Sequence, residues 1–375
     1  MTGKLRVLFA IGSLSGGGSE RQMVQILRAL DRSRFQPFLY LIDRQGEFLH
    51  EVPEDVPVRA FWEEHRRPWL NWPGRIHQWQ VRHLTQVLRE FAIDLLYDRT
   101  LPMALVTARA ARRADVPHVP TIVSDPVRDF ATSAGRFRPI KRWLLRQAYQ
   151  SAARVVAVSE GIREAAVRQY GLPPARVVTL PNLYDFERIR RLADEPLEPF
   201  PEGRFHVLFA GRLQPEKGAD VFVQAAELLI RVRGRENLLF HVLGTGALEA
   251  ELKQFVGRCR FPGSIVFHEF RSNPYPYFRQ AHVFCLPSRY EGFPNALVEA
   301  MACGTPVIAS DCPSGPREIL ADGKFGELVV PGDPVALADA IERVESHYAQ
   351  ALQTAETARQ YVEKNYGVES GIEKL

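Results

Sequence analysis

The chain has 375 residues, 46% of them hydrophobic and 25% charged, with 48 Lys+Arg against 44 Asp+Glu and a formal net charge of +4. That balance excludes a disordered, collagen-like or disulfide-scaffold chain, and the near-zero sum argues against an obligate nucleic-acid binder. The length exceeds one typical core and predicts two domains. In chain order, Leu5–Ile11 is an apolar run that ends in glycine and reads as a first buried strand, since no small-residue cleavage site follows it. The loop Gly16-Gly17-Gly18 comes next, then an amphipathic helix from Ser19 to Leu30. Strands are predicted at Phe38–Ile42, Leu95–Tyr97, Val119–Val123, Val155–Val158 and Val177–Leu180, with helical stretches between them.

Residues 183–203 are predicted as a linker, because Asp194–Gly203 carries three prolines, four acids and a glycine and forms neither helix nor central strand. Beyond it, Val207-Leu208-Phe209-Ala210 repeats the letters of Val7-Leu8-Phe9-Ala10, and again a glycine loop and a helix (Ala219 to Arg231) follow. Further strands are expected at Leu238–Leu243, Ile265–Phe267, Val283–Leu286, Val307–Ala309 and Glu327–Val329. Two strand–loop–helix series predict an α/β chain of two Rossmann-like, doubly wound domains facing across a cleft at the carboxyl ends of their strands. No apolar run reaches the roughly 18–20 residues that span a bilayer. The four cysteines form no C-x-x-C pair and read as core thiols.

Three segments carry chemistry. Gly16-Gly17 precedes a helix, where bare backbone amides and the helix dipole suit a phosphate; a tight turn explains the glycines equally well. It has neither the dinucleotide fingerprint nor the P-loop spacing. Gly211-Arg212-Leu213-Gln214-Pro215-Glu216-Lys217-Gly218 sets an arginine fork and a lysine point charge between a strand end and a helix start, a combination suited to a diphosphate. In Ser288-Arg289-Tyr290-Glu291-Gly292-Phe293-Pro294-Asn295-Ala296-Leu297-Val298-Glu299, one carboxylate precedes a short helix and another lies inside it. Such a pair accepts hydrogen bonds from sugar and ribose hydroxyls, and the free amides at the helix start suit an anion.

With those motifs, and with Ser159-Glu160, Pro181-Asn182 and Asp311–Leu320 beside them, the chain resembles glycosyltransferase family 4, of the GT-B architecture, and is similar to members that build bacterial surface glycans. The resemblance implies a retaining transfer of a sugar, a hexose or N-acetylhexosamine, from a nucleotide-diphosphate donor, with UDP-sugars favoured. The acceptor would be a glycan or a polyprenyl-diphosphate-linked sugar in polysaccharide or glycolipid synthesis. It implies that Arg212 and Lys217 grip the diphosphate, Glu291 the sugar and Glu299 the ribose. Gly16 and Gly17 would approach the phosphates, with Gly211, Gly244, Gly246, Phe270 and Arg271 bordering the nucleotide beside Gly292, Phe293, Pro294, Asn295, Ala296 and Leu297. It also implies a first domain over 1–182, a nucleotide-sugar domain over 204–359 and a last helix, about 360–375, packing back on the first domain. Many relatives carry a histidine at the end of the fourth first-domain strand. Here that stretch is Thr121-Ile122-Val123-Ser124-Asp125, so Asp125 or Ser124 is the candidate replacement, and the earlier His118 is expected to be a satisfied core or edge residue. No D-x-D pair occurs, and no metal or cofactor is expected.

All five tryptophans lie in the first domain, and Trp62, Trp69 and Trp72 stand among Arg66, Arg67 and Arg75; Arg138, Arg142 and Arg146 recur every four residues. Trp beside Arg suits an acceptor or a peripheral contact with an anionic membrane at its cytoplasmic face, and equally a loop anchored by its rings. Residues 1–182 hold 27 Lys+Arg and 17 Asp+Glu, against 21 and 27 in residues 183–375, so the small net charge hides a cationic half. A GT-B nucleotide-sugar epimerase and a non-catalytic nucleotide-sugar-binding scaffold are the alternative readings.

Overall fold

The computed structural model describes residues 3–15, 17–69, 72, 74–128, 130, 137–258 and 262–368. The chain divides into two compact units, one reaching to Leu183 and the other spanning Tyr184–Gly367. In the first, β1 (Leu5–Ile11), β2 (Phe35–Leu41), β3 (Val58–Ala60), β4 (Leu95–Arg99), β5 (His118–Ile122), β6 (Val155–Ala157) and β7 (Val177–Thr179) form one sheet in the order β3-β2-β1-β4-β5-β6-β7. In the second, β8 (Phe205–Ala210), β9 (Leu238–Leu243), β10 (Ile265–His268), β11 (Val283–Leu286), β12 (Val307–Ser310) and β13 (Glu327–Val329) run β10-β9-β8-β11-β12-β13. Every pairing is parallel, so each sheet is doubly wound about its first strand.

The four-letter repeat marks equivalent places. Val7 pairs with Leu95, the first residue of β4, and Val207 pairs with Val283, the first residue of β11. Both segments are buried on two faces: Val7, Phe9 and Ile11 enter one core, Leu8 and Ala10 the opposite one. Among the described residues the sequence missed only one strand, β3. It is a three-residue edge strand with two half-buried residues, too short to show a period.

The interval predicted as linker is partly helical. Phe186–Ala193 forms a helix in the second unit, capped by Asp185 through the Arg188 N–H and burying Phe186, Ile189 and Ala193 on one face. The irregular stretch begins at Asp194 and is tied down by aromatic and histidine contacts. Phe200 stacks on His241 with ring centroids 3.9 Å apart, and His206 Nε2 lies 2.8 Å from the Pro201 carbonyl. His206, His241 and His268, on β8, β9 and β10, form a diagonal ladder with ring nitrogens 3.0 Å apart at each step. At the other end, residues 360–366 complete the helix Tyr348–Tyr366, which belongs to the second unit and lays Tyr366 edge-on against Phe293. The rest of the predicted last helix, from 369, lies outside the described residues.

Candidate active site

The two loops that the sequence marks in the second unit leave adjacent strands. β8 leads through Gly211 and Arg212 to a turn at Pro215–Lys217, and β11 leads through Ser288 to Glu291. β8 and β11 pair directly, at the point where the strand order reverses and a doubly wound sheet opens a crevice. Lys217 Nζ donates to both Glu291 oxygens, at 2.7 and 2.8 Å. The fully buried Ser288 hydroxyl donates to Glu291 Oε1 at 2.7 Å. Glu291 is only 6% exposed, so its charge is held by one cation and one hydroxyl instead of bulk water.

The loops touch through their backbones. Gly218 has φ +69°, and a Cβ there would fall 2.0 Å from the Pro287 carbonyl oxygen. Gly244 has φ +134°, and its Cβ would meet the Gly211 carbonyl oxygen at 2.1 Å. A side chain at either place is excluded by sterics and by backbone conformation together. Arg212, by contrast, is largely exposed, with Nη2 3.8 Å from Glu216. Gly246 packs on Leu213, while the half-buried Phe270 and exposed Arg271 follow the end of β10. Since β8, β9, β10 and β11 are parallel, all of these residues share one edge of the sheet.

Gly292, Phe293 and Pro294 are buried and lead into the helix Asn295–Ala302, with Ala296 half-buried and Leu297 and Glu299 buried within it. The Tyr184 hydroxyl donates to Asn295 Oδ1 at 2.5 Å. Sequence reasoning assigned no role to Ser288, Arg289 or Asp220. Arg289 forks onto Asp220 with bonds of 2.8 and 2.6 Å. Burial raises the Asp220 pKa, but the Arg289 hydrogen bond and charge outweigh it and hold the carboxyl below its ordinary range. Two residues 69 positions apart leave no local signal of such pairing.

In the first unit, Gly16 lies outside the described residues, and Gly17 caps the helix Gly18–Ala29 with no side-chain bond. The Glu20 carboxylate folds over Gly17, where a Cβ would come within 2.1 Å of Oε2. Asp125 Oδ1 accepts the backbone N–H groups of Val127 and Arg128 at 2.8 and 3.0 Å, and so shapes its own loop. His118 is buried, with Nε2 2.5 Å from Asp98 Oδ2. The tryptophan stretch splits: Trp62 and Trp79 pack partly buried against a core cluster, while Trp69 and Trp72 are 95% and 60% exposed. Arg138 and Arg142 are exposed on the helix Arg138–Gln150, as are Ile140 and Trp143. Burial, followed by the charge of Glu299, pushes the half-buried Cys303 thiol up to about 12, which fits an unreactive thiol. Among the described residues no three His, Cys, Asp or Glu side chains gather as a metal site, and no helix is long and apolar enough to cross a membrane.

Residues 16–188 match the family model described as Glycosyltransferase Family 4, and residues 192–361 match the one described as Glycosyl transferases group 1. An uncharacterized glycosyltransferase of Methanocaldococcus jannaschii is 22% identical over 298 residues, covering 73% of this chain and 72% of its own. The N-acetylgalactosamine-N,N'-diacetylbacillosaminyl-diphospho-undecaprenol 4-alpha-N-acetylgalactosaminyltransferase of Campylobacter jejuni is 30% identical over 190 residues, 51% of this chain and 50% of its own. That match therefore spans about half of the relative's length. The crystal structure of Anabaena HepE in complex with UDP shares the fold, with a TM-score of 0.79 at 21% identity over 99% of this chain and 98% of that one.

Proposed function

The chain belongs to glycosyltransferase family 4, and from that premise we propose that it is a retaining, metal-independent enzyme transferring a hexose or N-acetylhexosamine from a nucleotide-diphosphate sugar, a UDP-sugar being favoured, to a glycan or polyprenyl-diphosphate-linked acceptor. The observation that carries this reading is the convergence of Lys217, Glu291 and Ser288 where the strand order of the second sheet reverses. Lys217 and Arg212 would neutralise charge on the departing diphosphate, and Glu291 would receive the sugar hydroxyls. Relatives whose names specify a diphospho-undecaprenol acceptor support the lipid-linked class.

In the proposed step the donor's anomeric C–O bond breaks while the acceptor oxygen bonds to the same face of that carbon. The acceptor proton passes to an oxygen of the leaving phosphate. No side-chain base is assigned, in keeping with Asp125 being engaged by two backbone N–H groups. Binding at the inner face of a cytoplasmic membrane is part of the same reading. It is supported by exposed Trp69 and Trp72 and, on the helix Arg138–Gln150, by exposed Ile140 and Trp143 beside Arg138 and Arg142.

Thermal-shift screening of UDP-, GDP- and ADP-sugars is expected to single out one donor, and slow donor hydrolysis is expected to vanish in Lys217→Ala. Absence of any stabilising nucleotide sugar would refute the enzyme reading, and release of a free epimerised sugar would replace it by the epimerase. Flotation with anionic vesicles at low salt tests the membrane contact; a protein left entirely in the soluble fraction refutes it.

A further inference from the structure

Lys217 and Glu291 meet because their two loops are held at a set distance, and beside that pair's own bonds a further set of hydrogen bonds between the loops starts from one residue, Arg289. The Arg289 guanidinium reaches both Asp220 oxygens and also donates to the Pro215 carbonyl at 2.6 Å. Its backbone N–H donates to the Glu216 carbonyl at 2.8 Å. Arg289 thus spans from the strand-β11 loop to three consecutive features of the other: the turn at Pro215, the residue before Lys217, and the first turn of the helix Ala219–Glu227. We propose that Arg289 and Asp220 are positioning residues for sugar transfer, a brace that keeps the lysine loop and the glutamate loop in register around one donor site.

A carboxylate in the first turn of a helix is favourable in any case, so Asp220 by itself is ordinary. The helix dipole does not account for Arg289. A planar fork meets two carboxylate oxygens with parallel bonds from two nitrogens while reaching a carbonyl, a fixed geometry that a single lysine nitrogen does not reproduce. The two side chains are 39% and 32% exposed, and ion pairs that exposed contribute little to global stability. Their consequence is geometric, which separates the brace from a merely structural pair. Removing it should loosen the two loops and weaken the donor site while leaving the melting temperature nearly unchanged.

The inference rests on the nucleotide-sugar reading above for its consequence, though not for the brace itself. Two measurements on the full-length protein keep these apart. Hydrogen exchange reads the brace: Arg289→Met is expected to raise exchange about tenfold at the amides of 213–218 and 288–292, and Arg289→Lys is expected to restore protection only in part. UDP titration by calorimetry reads the consequence: Arg289→Met and Asp220→Asn are each expected to weaken UDP about tenfold. The double variant should be no weaker than either single one, as for two halves of one device. Unchanged exchange in Arg289→Met overturns the proposal, and so does global unfolding of both single variants, which would make the pair structural. Altered exchange with unaltered UDP affinity overturns the positioning role. If the wild-type protein binds neither UDP, GDP nor ADP, the donor reading fails and the positioning role with it, while the exchange result still decides the brace.

Discussion

The histidine ladder beneath Phe200 makes the stability of the second unit depend on pH in a calculable way. A carbonyl only accepts, so the Pro201 oxygen requires a proton on His206 Nε2. In the neutral ring His206 Nδ1 then accepts from His241 Nε2–H, and His241 Nδ1 from His268 Nε2–H. The His206 backbone N–H occupies His282 Nδ1 in the same way. All four rings are thereby neutral Nε2–H tautomers. A proton added to His241 must go to the nitrogen that accepts from His268, in a site where Arg204 and Arg271 supply the neighbouring cations. Tyr277 stands edge-on to His268, and Tyr348 lies against His282. Burial, followed by the charges of His268 and His206, pushes His241 down to about 3, and burial lowers His206, His268 and His282 as well.

The folded pKa lies below the unfolded value of 6.5, so the unfolded chain binds the extra proton and stability falls as pH drops below 6.5 toward the folded value. At pH 5, His241 alone removes about 2 kcal/mol, and the other three act in the same direction. For a unit of this size that corresponds to a Tm lower by about 4–8 °C. The assay is thermal unfolding by circular dichroism from pH 7.5 to 5, with tryptophan emission as a control that reports the first unit, since all five tryptophans lie there. His241→Gln keeps a donor and an acceptor but does not titrate, and its slope between pH 6.5 and 5 should lose about one proton. A His241→Gln variant as pH-sensitive as wild type would refute the ladder as the cause.

Other expectations follow from the site. Lys217→Ala strands the buried Glu291 carboxylate and should cost about 2–3 kcal/mol in urea denaturation, with Glu291→Gln recovering part of it in the double variant. Gly244→Ala forces a Cβ onto the Gly211 carbonyl at a positive φ and should cost about 2–4 kcal/mol, whereas Gly211→Ala, meeting only Phe209 at 3.6 Å, should stay within about 1 kcal/mol. Comparable losses in the two glycine variants would contradict the close approach. Transfer activity is expected to be unchanged by EDTA, and a loss reversed by Mg²⁺ or Mn²⁺ would show that a metal is needed. Trp143→Ala and Ile140→Ala should lower vesicle binding with catalysis in solution unaltered, measured by flotation and by turnover without lipid.

The sequence by itself determined the long buried strands and their duplication, though not the edge strand β3 or the helix Phe186–Ala193. Buried parallel strands are runs of apolar residues that show in one dimension, and Val7–Ala10 and Val207–Ala210 announce the same architecture twice. It also marked Lys217 and Glu291, because glycine-flanked charges at strand ends are a local pattern. What the tertiary structure decided is which distant groups meet. Lys217 bonds Glu291 across 74 positions, and Arg289 forks onto Asp220 across 69. The order of strands in a sheet sets these meetings, and no local periodicity encodes that order. The same holds for the tryptophans, identical as letters but divided by packing into two half-buried rings, Trp62 and Trp79, and three exposed ones, Trp69, Trp72 and Trp143. Pattern reveals which face of an element is apolar; only the neighbours that arrive on that face decide whether a side chain is core, brace or free surface.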